Sequence, residues 1–236
     1  MKHLFTTAAF IALAACTPPA AKAPDASSAA AAPAAATPVK TDIPAGTYAM
    51  DKTHTNLTFR VNHLGFSNYT AQFTKVDAKL QLDPANPSAA TLEATIDPRS
   101  LLLNAPPKGF TEEITGAQWL DAKQFPRMIF KSTKIEMTGP DTAKVTGDFT
   151  MHGVTAPVEM DVKFNGGWAG FQMDPHARAG FSAHGVLKRS AFGIANGIPA
   201  PGTNMGVSDA VEFQIETEMS GPDWKPPAGA PATPAP

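Results

Sequence analysis

The feature that most constrains the fold of this chain is a two-residue alternation of apolar and polar side chains along its central part. Leu57, Phe59 and Val61 alternate with Thr58 and Arg60. The same pattern recurs in five further runs, at residues 76–82, 92–96, 145–151, 158–164 and 211–216. Because successive side chains of a strand point to opposite faces, each run predicts a strand with one dry and one wet face. That pattern is typical of antiparallel sheets.

Segments rich in Pro, Gly, Asn and Asp separate these runs, at residues 83–87, 139–141 and 165–167. The one helical candidate is residues 111–124, with two glutamates near its start and Pro126 after its end. Counting from Gly46 predicts about eight strands and one short helix, without βαβ alternation. The count fits a closed barrel or a two-sheet sandwich. A closed barrel of about eight strands has room for its own side chains or one small ligand.

The N-terminus carries the signals of an exported protein. Residues 1–15 contain Lys2 and then a short apolar run at 4–12, which predicts a signal peptide rather than a membrane span. The sequence Leu-Ala-Ala-Cys at 13–16 resembles the lipobox of bacterial lipoproteins, so Cys16 is predicted to be the lipid attachment point. The alternative is an ordinary signal peptide with an incidental cysteine. Because Cys16 is the one cysteine of the sequence, the chain has no internal disulfide.

Two low-complexity segments flank the alternating runs. Residues 16–45 and 221–236 consist largely of Ala, Pro, Ser and Thr, a composition that buries too little apolar area to offset the entropy of ordering. We therefore predict a disordered tether at 16–45, a single β-domain at 46–220 and a disordered tail at 221–236.

Composition and spacing exclude several function classes. With a net charge of -2 and thinly spread Lys and Arg, the chain lacks the basic stripe that nucleic-acid binding requires. The histidines of the domain show no close-spaced ligand pair, so no metal or cofactor is predicted: His54, His63, His152, His176 and His184. No Gly-x-Ser-x-Gly motif is present, and Ser67 and Ser190 lack an evident base, so no catalytic residue is predicted.

The aromatic set is skewed toward phenylalanine, with 14 Phe against 2 Tyr and 3 Trp. Alternation places many of these rings on inward faces, where they either line a ligand cavity or pack as a filled core. The candidate ligand-binding residues are Phe59, Val61, His63, Phe73, Trp119, Phe130, Phe149, Phe181, Arg189, Phe192 and Phe213. His63 and Arg189 are candidates for contact with a polar head group. The alternative is a hydrogen-bonded core histidine and a surface ion-pair partner.

Five segments in chain order resemble one known family. They are YAMDKTHT at 48–55, FRVNHLGFS at 59–67, WLDAKQFPRMIFKS at 119–132, VTGDFTMHGVTAPV at 145–158, and KRSAFG at 188–193 followed by VSD at 207–209. Together they are similar to the YceI-like family, periplasmic lipocalin-like barrels associated with polyisoprenoid binding. The chain departs from the family pattern at Ala71-Gln72-Phe73 and at 111–118, the segment that tends to lie near the cavity.

The resemblance implies an eight-stranded lipocalin-like barrel that binds a long-chain apolar lipid, such as a polyisoprenoid or an isoprenoid quinone, without catalysis. The lipid is a ligand rather than a cofactor. The resemblance and the lipobox together predict that the protein is located on the periplasmic side of the cell envelope and is anchored in a membrane. Thr17 favours the outer membrane, because it is not the Asp associated with inner-membrane retention in enteric bacteria. The rival hypothesis is a structural or partner-binding envelope lipoprotein with a filled core. The oligomeric state does not follow from the sequence.

Overall fold

The computed structural model describes residues 41–226, and antiparallel strands account for most of them. The strands are β1 (Gly46–His63), β2 (Ser67–Phe73), β3 (Val76–Leu82), β4 (Thr91–Ile96), β5 (Leu101–Leu102), β6 (Met128–Met137), β7 (Thr142–Met151), β8 (Val154–Trp168), β9 (His176–Lys188) and β10 (Val207–Asp223). Buried and exposed residues alternate along β3, β7 and β8, as the sequence pattern predicts.

The sheet closes on itself because β1 pairs with β10, the last strand. The N-terminal part of β1, Gly46 to Ala49, pairs with β3, while its C-terminal part, Leu57 to His63, pairs with β2. β4 continues beside β3, and β5 beside β2. Since β2 with β3 and β4 with β5 each fill one position in the wall, the ten strands form a closed eight-stranded barrel. Of the two predicted architectures, the barrel is confirmed and the sandwich is not.

Helix is scarcer than the sequence pattern predicts. The candidate helix at 111–124 is reduced to α1, which comprises the five residues Phe110–Ile114. Thr115 caps α1, and Gly116, a poor helix former, follows directly. The chain then doubles back, so that the Ala122 N–H donates to the Thr115 carbonyl oxygen at 2.9 Å. The turns that replace the predicted helix carry Trp119 and Leu120 to the cavity described below. Among the described residues, no helix is long and apolar enough to cross a membrane.

The folded part extends past the predicted 46–220 limits at both ends. Ile43 lies in the predicted tether, yet it is only 5% exposed and packs in a cluster with Tyr48 and Met219. At the other end β10 continues to Asp223, and the N–H of Trp224 donates to the Pro175 carbonyl oxygen at 2.7 Å. These short segments are ordered because they cover apolar core. The predicted signal peptide, Cys16, the tether up to residue 40 and the tail from residue 227 lie outside the described residues.

Candidate functional site

The barrel encloses a cavity of about 870 Å³. Its wall is formed almost entirely by the inward-facing apolar residues of the strands. On β7 these are Ala143, Val145, Phe149 and Met151, and on β8 they are Val158, Met160, Val162 and Phe164. The interior of the barrel is therefore an apolar space rather than a filled core.

Two glycines on the wall allow aromatic rings to lie flat instead of filling the barrel. A Cβ on Gly147 would collide with the ring of Phe130 and with the Lys131 backbone. On β9, a Cβ on Gly185 would come within 2.5 Å of the Phe213 ring. Because both positions lack a side chain, the two rings occupy space against the sheet and leave the centre of the barrel open.

Ten of the eleven predicted ligand-binding residues line the cavity: Phe59, Val61, His63, Phe73, Trp119, Phe130, Phe149, Phe181, Arg189 and Phe213. The exception is Phe192. It is 1% exposed and packs in the buried cluster that includes Phe149, with its ring edge-on to the Phe149 ring at 5.5 Å between centroids. Phe192 belongs to the 3₁₀ turn Arg189–Phe192, where strand alternation no longer sets side-chain direction. Phe192 is therefore a core residue that does not line the cavity. Whether the other ten contact a ligand stays a prediction.

The candidate residues predicted from the sequence include no leucine and no methionine, although both types line the cavity. Six methionines line the cavity: Met50, Met128, Met137, Met151, Met160 and Met219. Met151 and Met160 stand at apolar positions of the alternating runs, so the signal was present in the pattern. Unbranched, polarisable thioethers adapt to ligands of irregular shape, which makes the wall more compliant than one of branched residues.

The two ends of the cavity differ in chemistry. One end, here called the Arg189 end, is lined by His63, Trp119, Arg189, Gly197 and Val207. The other, the Asp141 end, is lined by Thr41, Pro84, Pro140, Asp141 and Thr142. Polar lining residues are thus concentrated at the two openings of an apolar tube.

Arg189 is buried rather than a surface ion-pair partner, with 5% of its area exposed. Its guanidinium donates to four backbone carbonyl oxygens, those of Ile194 (3.1 Å), Asn196 (2.6 Å), Val207 (2.8 Å) and Ser208 (3.0 Å). The guanidinium carbon also lies 5.2 Å from the centre of the Trp119 ring. Burial lowers the pKa of Arg189, partly offset by the charge of Asp209. By contrast, His63 is exposed and stands on the rim, so it is not a core histidine.

One group of side chains has the composition of a metal site. Ligand atoms of Asp51, His54 and Glu218 lie within 4.8 Å of one another at the surface. Hydrogen bonds from Thr53 and His54 hold the pKa of Asp51 below its usual range, and the Asp51 carboxylate raises the pKa of His54. Arg178 also approaches Asp51 at 3.5 Å. This cluster is accounted for by its internal ion pairs. Sequence spacing did not reveal it, because Glu218 comes from the last strand.

Comparisons with known proteins agree with this architecture. The sequence model of the YceI-like domain matches residues 48–219. A UPF0312 protein of Vibrio cholerae is 32% identical over 180 residues, which cover 74% of this chain and 87% of the relative.

Solved structures show the same barrel. BcnA of Burkholderia cenocepacia superposes with a TM-score of 0.59 at 24% identity, over 72% of this chain and 98% of BcnA. A polyisoprenoid binding domain from Saccharophagus degradans superposes with a TM-score of 0.53 at 11% identity, over 74% of this chain and 98% of that domain. At such identities the two likenesses show the fold alone. The matched domain sequence, the related protein and the barrel together establish that the chain belongs to the YceI-like family.

Proposed function

We propose that the protein binds one long-chain apolar lipid, of polyisoprenoid or isoprenoid quinone type, in the barrel and stores or carries it without chemical change. The observation that supports this most directly is the apolar cavity of about 870 Å³ along the barrel. That volume falls in the range of about 300–1,000 Å³ typical of small-molecule sites. The structural neighbour from Saccharophagus degradans is described as a polyisoprenoid binding domain, which supports the same ligand class.

The driving force for such binding is the removal of apolar surface from water. Burial contributes about 25 cal/mol per Å² of apolar area, before the costs of association are deducted. A cavity wall of Phe, Val, Leu and Met side chains offers this contribution to any apolar chain that fits. The rival hypothesis of a structural lipoprotein assumed a filled barrel, and the open interior removes that premise.

The proposed setting is the periplasmic side of the cell envelope. The predicted lipid anchor at Cys16 would hold the barrel near a membrane, and Thr17 favours the outer membrane. That membrane would supply the apolar ligand. A binding protein that shields such a lipid from water is suited to an aqueous compartment between two membranes.

Phe149→Asp tests the proposal directly. Phe149 is 7% exposed and lines the cavity, so a carboxylate there would stand unpaired in apolar surroundings. We expect the co-purified lipid per folded protein to be lost. Phe149→Ala should weaken binding and lower the free energy of unfolding by about 3 kcal/mol, the low end for a buried Phe, because one side of the ring faces open space.

The matched control is Val186→Asp, which places the same carboxylate on the outer face of β9, where Val186 is 58% exposed. It should carry as much lipid as the unmodified protein. The measurement is lipid extraction and mass spectrometry of protein exported by its native host. If the unmodified protein carries no lipid and binds neither an isoprenoid quinone nor an isoprenyl phosphate at micromolar concentration, the proposal is wrong.

A further inference from the structure

The side chains that can carry charge stand at opposite ends of the cavity. Of the described residues that line it, three have side chains that are charged or chargeable near neutral pH: His63, Arg189 and Asp141. The two basic ones share an end, because the Val207 carbonyl oxygen accepts from Arg189 at 2.8 Å while the Val207 Cα stands opposite that of His63. The cavity therefore has a basic end and an acidic end.

The length of β7 gives the distance between the Arg189 end and the Asp141 end of the cavity. β7 begins at Thr142, directly after Asp141, and ends at Met151. The next residue, His152, is hydrogen-bonded to the carbonyl oxygen of Phe192 at 3.2 Å, in the turn that carries Arg189. Ten residues of strand span about 30 Å, which a barrel tilt of about 40° reduces to about 23 Å along the axis. The charges are thus separated by the length of an extended lipid tail, and the wall between them is apolar.

The buried charge of Arg189 lacks an acidic partner. No carboxylate in residues 41–226 forms an ion pair with it, although buried arginines are rare unless they are paired. The one acid that influences it, Asp209, is bound at 2.8 Å by both the N–H and the hydroxyl of Ser190. In the described residues the guanidinium charge is therefore balanced at contact range by carbonyl dipoles and the face of the Trp119 ring, without a carboxylate, and an anion beside it would lower its desolvation cost.

Hydrogen-bond donors remain unused at the same end. A guanidinium has five N–H donors. Four of those of Arg189 reach carbonyl oxygens, which leaves one on Nη2 without an acceptor among residues 41–226. The indole N–H of Trp119, whose ring covers the guanidinium, is buried and has no hydrogen-bond acceptor in the described part of the chain. A ligand group with several acceptor oxygens is complementary to this arrangement.

We infer that the lipid has an acidic head group, a phosphate or a carboxylate, that sits at the Arg189 end while its apolar tail runs toward Asp141. This inference rests on the proposed lipid-binding function and adds head-group class and orientation to it. Asp141 contributes by disfavouring the reverse orientation, in which the anion would meet a carboxylate.

Matched lipid pairs test the head-group class. Each pair shares a tail: geranylgeranyl monophosphate with geranylgeraniol, and palmitate with hexadecanol. We expect the acid of at least one pair to bind the full chain at least about ten-fold more tightly than its alcohol, as a charge-assisted hydrogen bond implies. The pair with the larger ratio of acid to alcohol affinity shows whether the preferred head group is a phosphate or a carboxylate. Equal affinities within both pairs would refute the inference and leave lipid binding intact. Failure of all four to bind, together with no binding of an isoprenoid quinone and no co-purified lipid, would refute the lipid-binding function itself.

Arg189→Met should bring the ratio of acid to alcohol affinity close to one. Loss of the four carbonyl contacts would lower the affinity for the acid and for the alcohol alike. The ratio of the two affinities therefore reports the effect of the Arg189 charge separately from its structural role. Arg189→Lys keeps the positive charge but lacks the planar set of five guanidinium donors, so it should retain part of the preference for the acid. This variant replaces Arg189→Met in the test if the Met variant does not fold. Arg60→Met is the control: it removes an arginine from the outer face of β1, where the side chain is 57% exposed, and should leave the preference for the acid in place. An unchanged ratio in folded Arg189→Met would refute the assignment.

The three tryptophans report the orientation. Trp119 is at the Arg189 end, whereas Trp168 on β8 and Trp224 after β10 are at the other end. In the Trp168→Phe/Trp224→Phe variant, stearate with a nitroxide beside its carboxylate should quench Trp119 fluorescence more strongly than stearate with the nitroxide at its methyl end. In Trp119→Phe the order should reverse. Stronger quenching of Trp119 by the methyl-end label would overturn the orientation.

Discussion

At the scale of single residues, Tyr48 illustrates how this small barrel accommodates a polar atom in its core. The side chain has no exposed surface, and its hydroxyl donates to the Pro44 carbonyl oxygen at 2.6 Å. Burial raises its pKa to about 12 from 10.0, because the phenolate would be desolvated. Gly221 makes room for the ring, since a Cβ there would collide with it. One hydrogen bond and one missing side chain thus allow a large aromatic ring with a polar atom to be fully buried.

The raised pKa of Tyr48 predicts an alkaline loss of stability. Between pH 10 and pH 12 the unfolded chain releases this proton while the folded chain retains it. The contribution is therefore fully present below about pH 10 and falls by about 1.4 kcal/mol per pH unit above it. Urea unfolding across this range should show a shallower decline for Tyr48→Phe than for the unmodified protein. Tyr69→Phe, which retains Tyr48, is the control, and an equal slope in all three proteins would contradict the assignment.

At the scale of elements, the glycines of β7 and β9 decide how much space the barrel encloses. Gly147 faces the ring of Phe130, and Gly185 stands directly opposite Phe213 in the β9–β10 pairing. A strand pattern of large apolar residues at every inward position would fill an eight-stranded barrel. Glycine at these positions lets the neighbouring rings pack against the strands instead of extending into the barrel. The barrel therefore encloses a cavity even though its sequence is rich in phenylalanine.

Gly147→Ala tests this role. The new methyl group would displace Phe130 toward the cavity and press on the strand backbone, so we expect a loss of stability of about 1–3 kcal/mol. Lipid carried per folded protein should also fall. Gly180→Ala, also within the barrel wall, is the control, because its nearest neighbours would be 3.8 Å away, an ordinary contact. Equal lipid content in both variants would show that the glycine does not set the cavity size.

At the scale of the whole molecule, both ends of the described chain meet the barrel at the same end. β1 begins at Gly46, beside Pro222 of β10, and Thr41 lines the cavity at the Asp141 end. Trp168, Phe171 and Met173 are exposed on the loop region between β8 and β9 at this end, with exposed fractions of 50%, 48% and 89%. Thr41, the first described residue, therefore lies at the end where these apolar side chains contact solvent.

Cys16→Ser tests the predicted anchor. Without the thiol no diacylglycerol is attached, and we expect the protein to move from the membrane fraction to the soluble periplasmic fraction. Because stable anchoring requires two or more acyl chains, the change should be nearly complete. The folded barrel should retain its lipid in the released form. Sedimentation of the Ser variant with membranes after a high-salt wash would contradict the lipobox prediction.

The alternation of side chains predicted β1, β3, β4, β7, β8 and β10 and, with the count of about eight, admitted the barrel, because burial on one face requires a period of two. The alternating runs did not include β2, β5, β6 and β9. The inward positions of these runs lie on the cavity wall. The alternation did not separate barrel from sandwich, since that depends on the pairing of β1 with β10, which are far apart along the chain.

Three features of the candidate site were decided by tertiary structure alone. The segment 111–124 fits a helical pattern, yet packing of Trp119 and Leu120 at the barrel end outweighs the propensity of a short helix. Phe192 packs in the core without lining the cavity, because a turn, not a strand, orients it. Arg189 is buried because four carbonyl oxygens from residues 194–208 converge on it. Local sequence determines which face of a strand is dry. Whether the dry faces enclose space or fill it depends on which side chains meet across the barrel, and only the closed structure determines that.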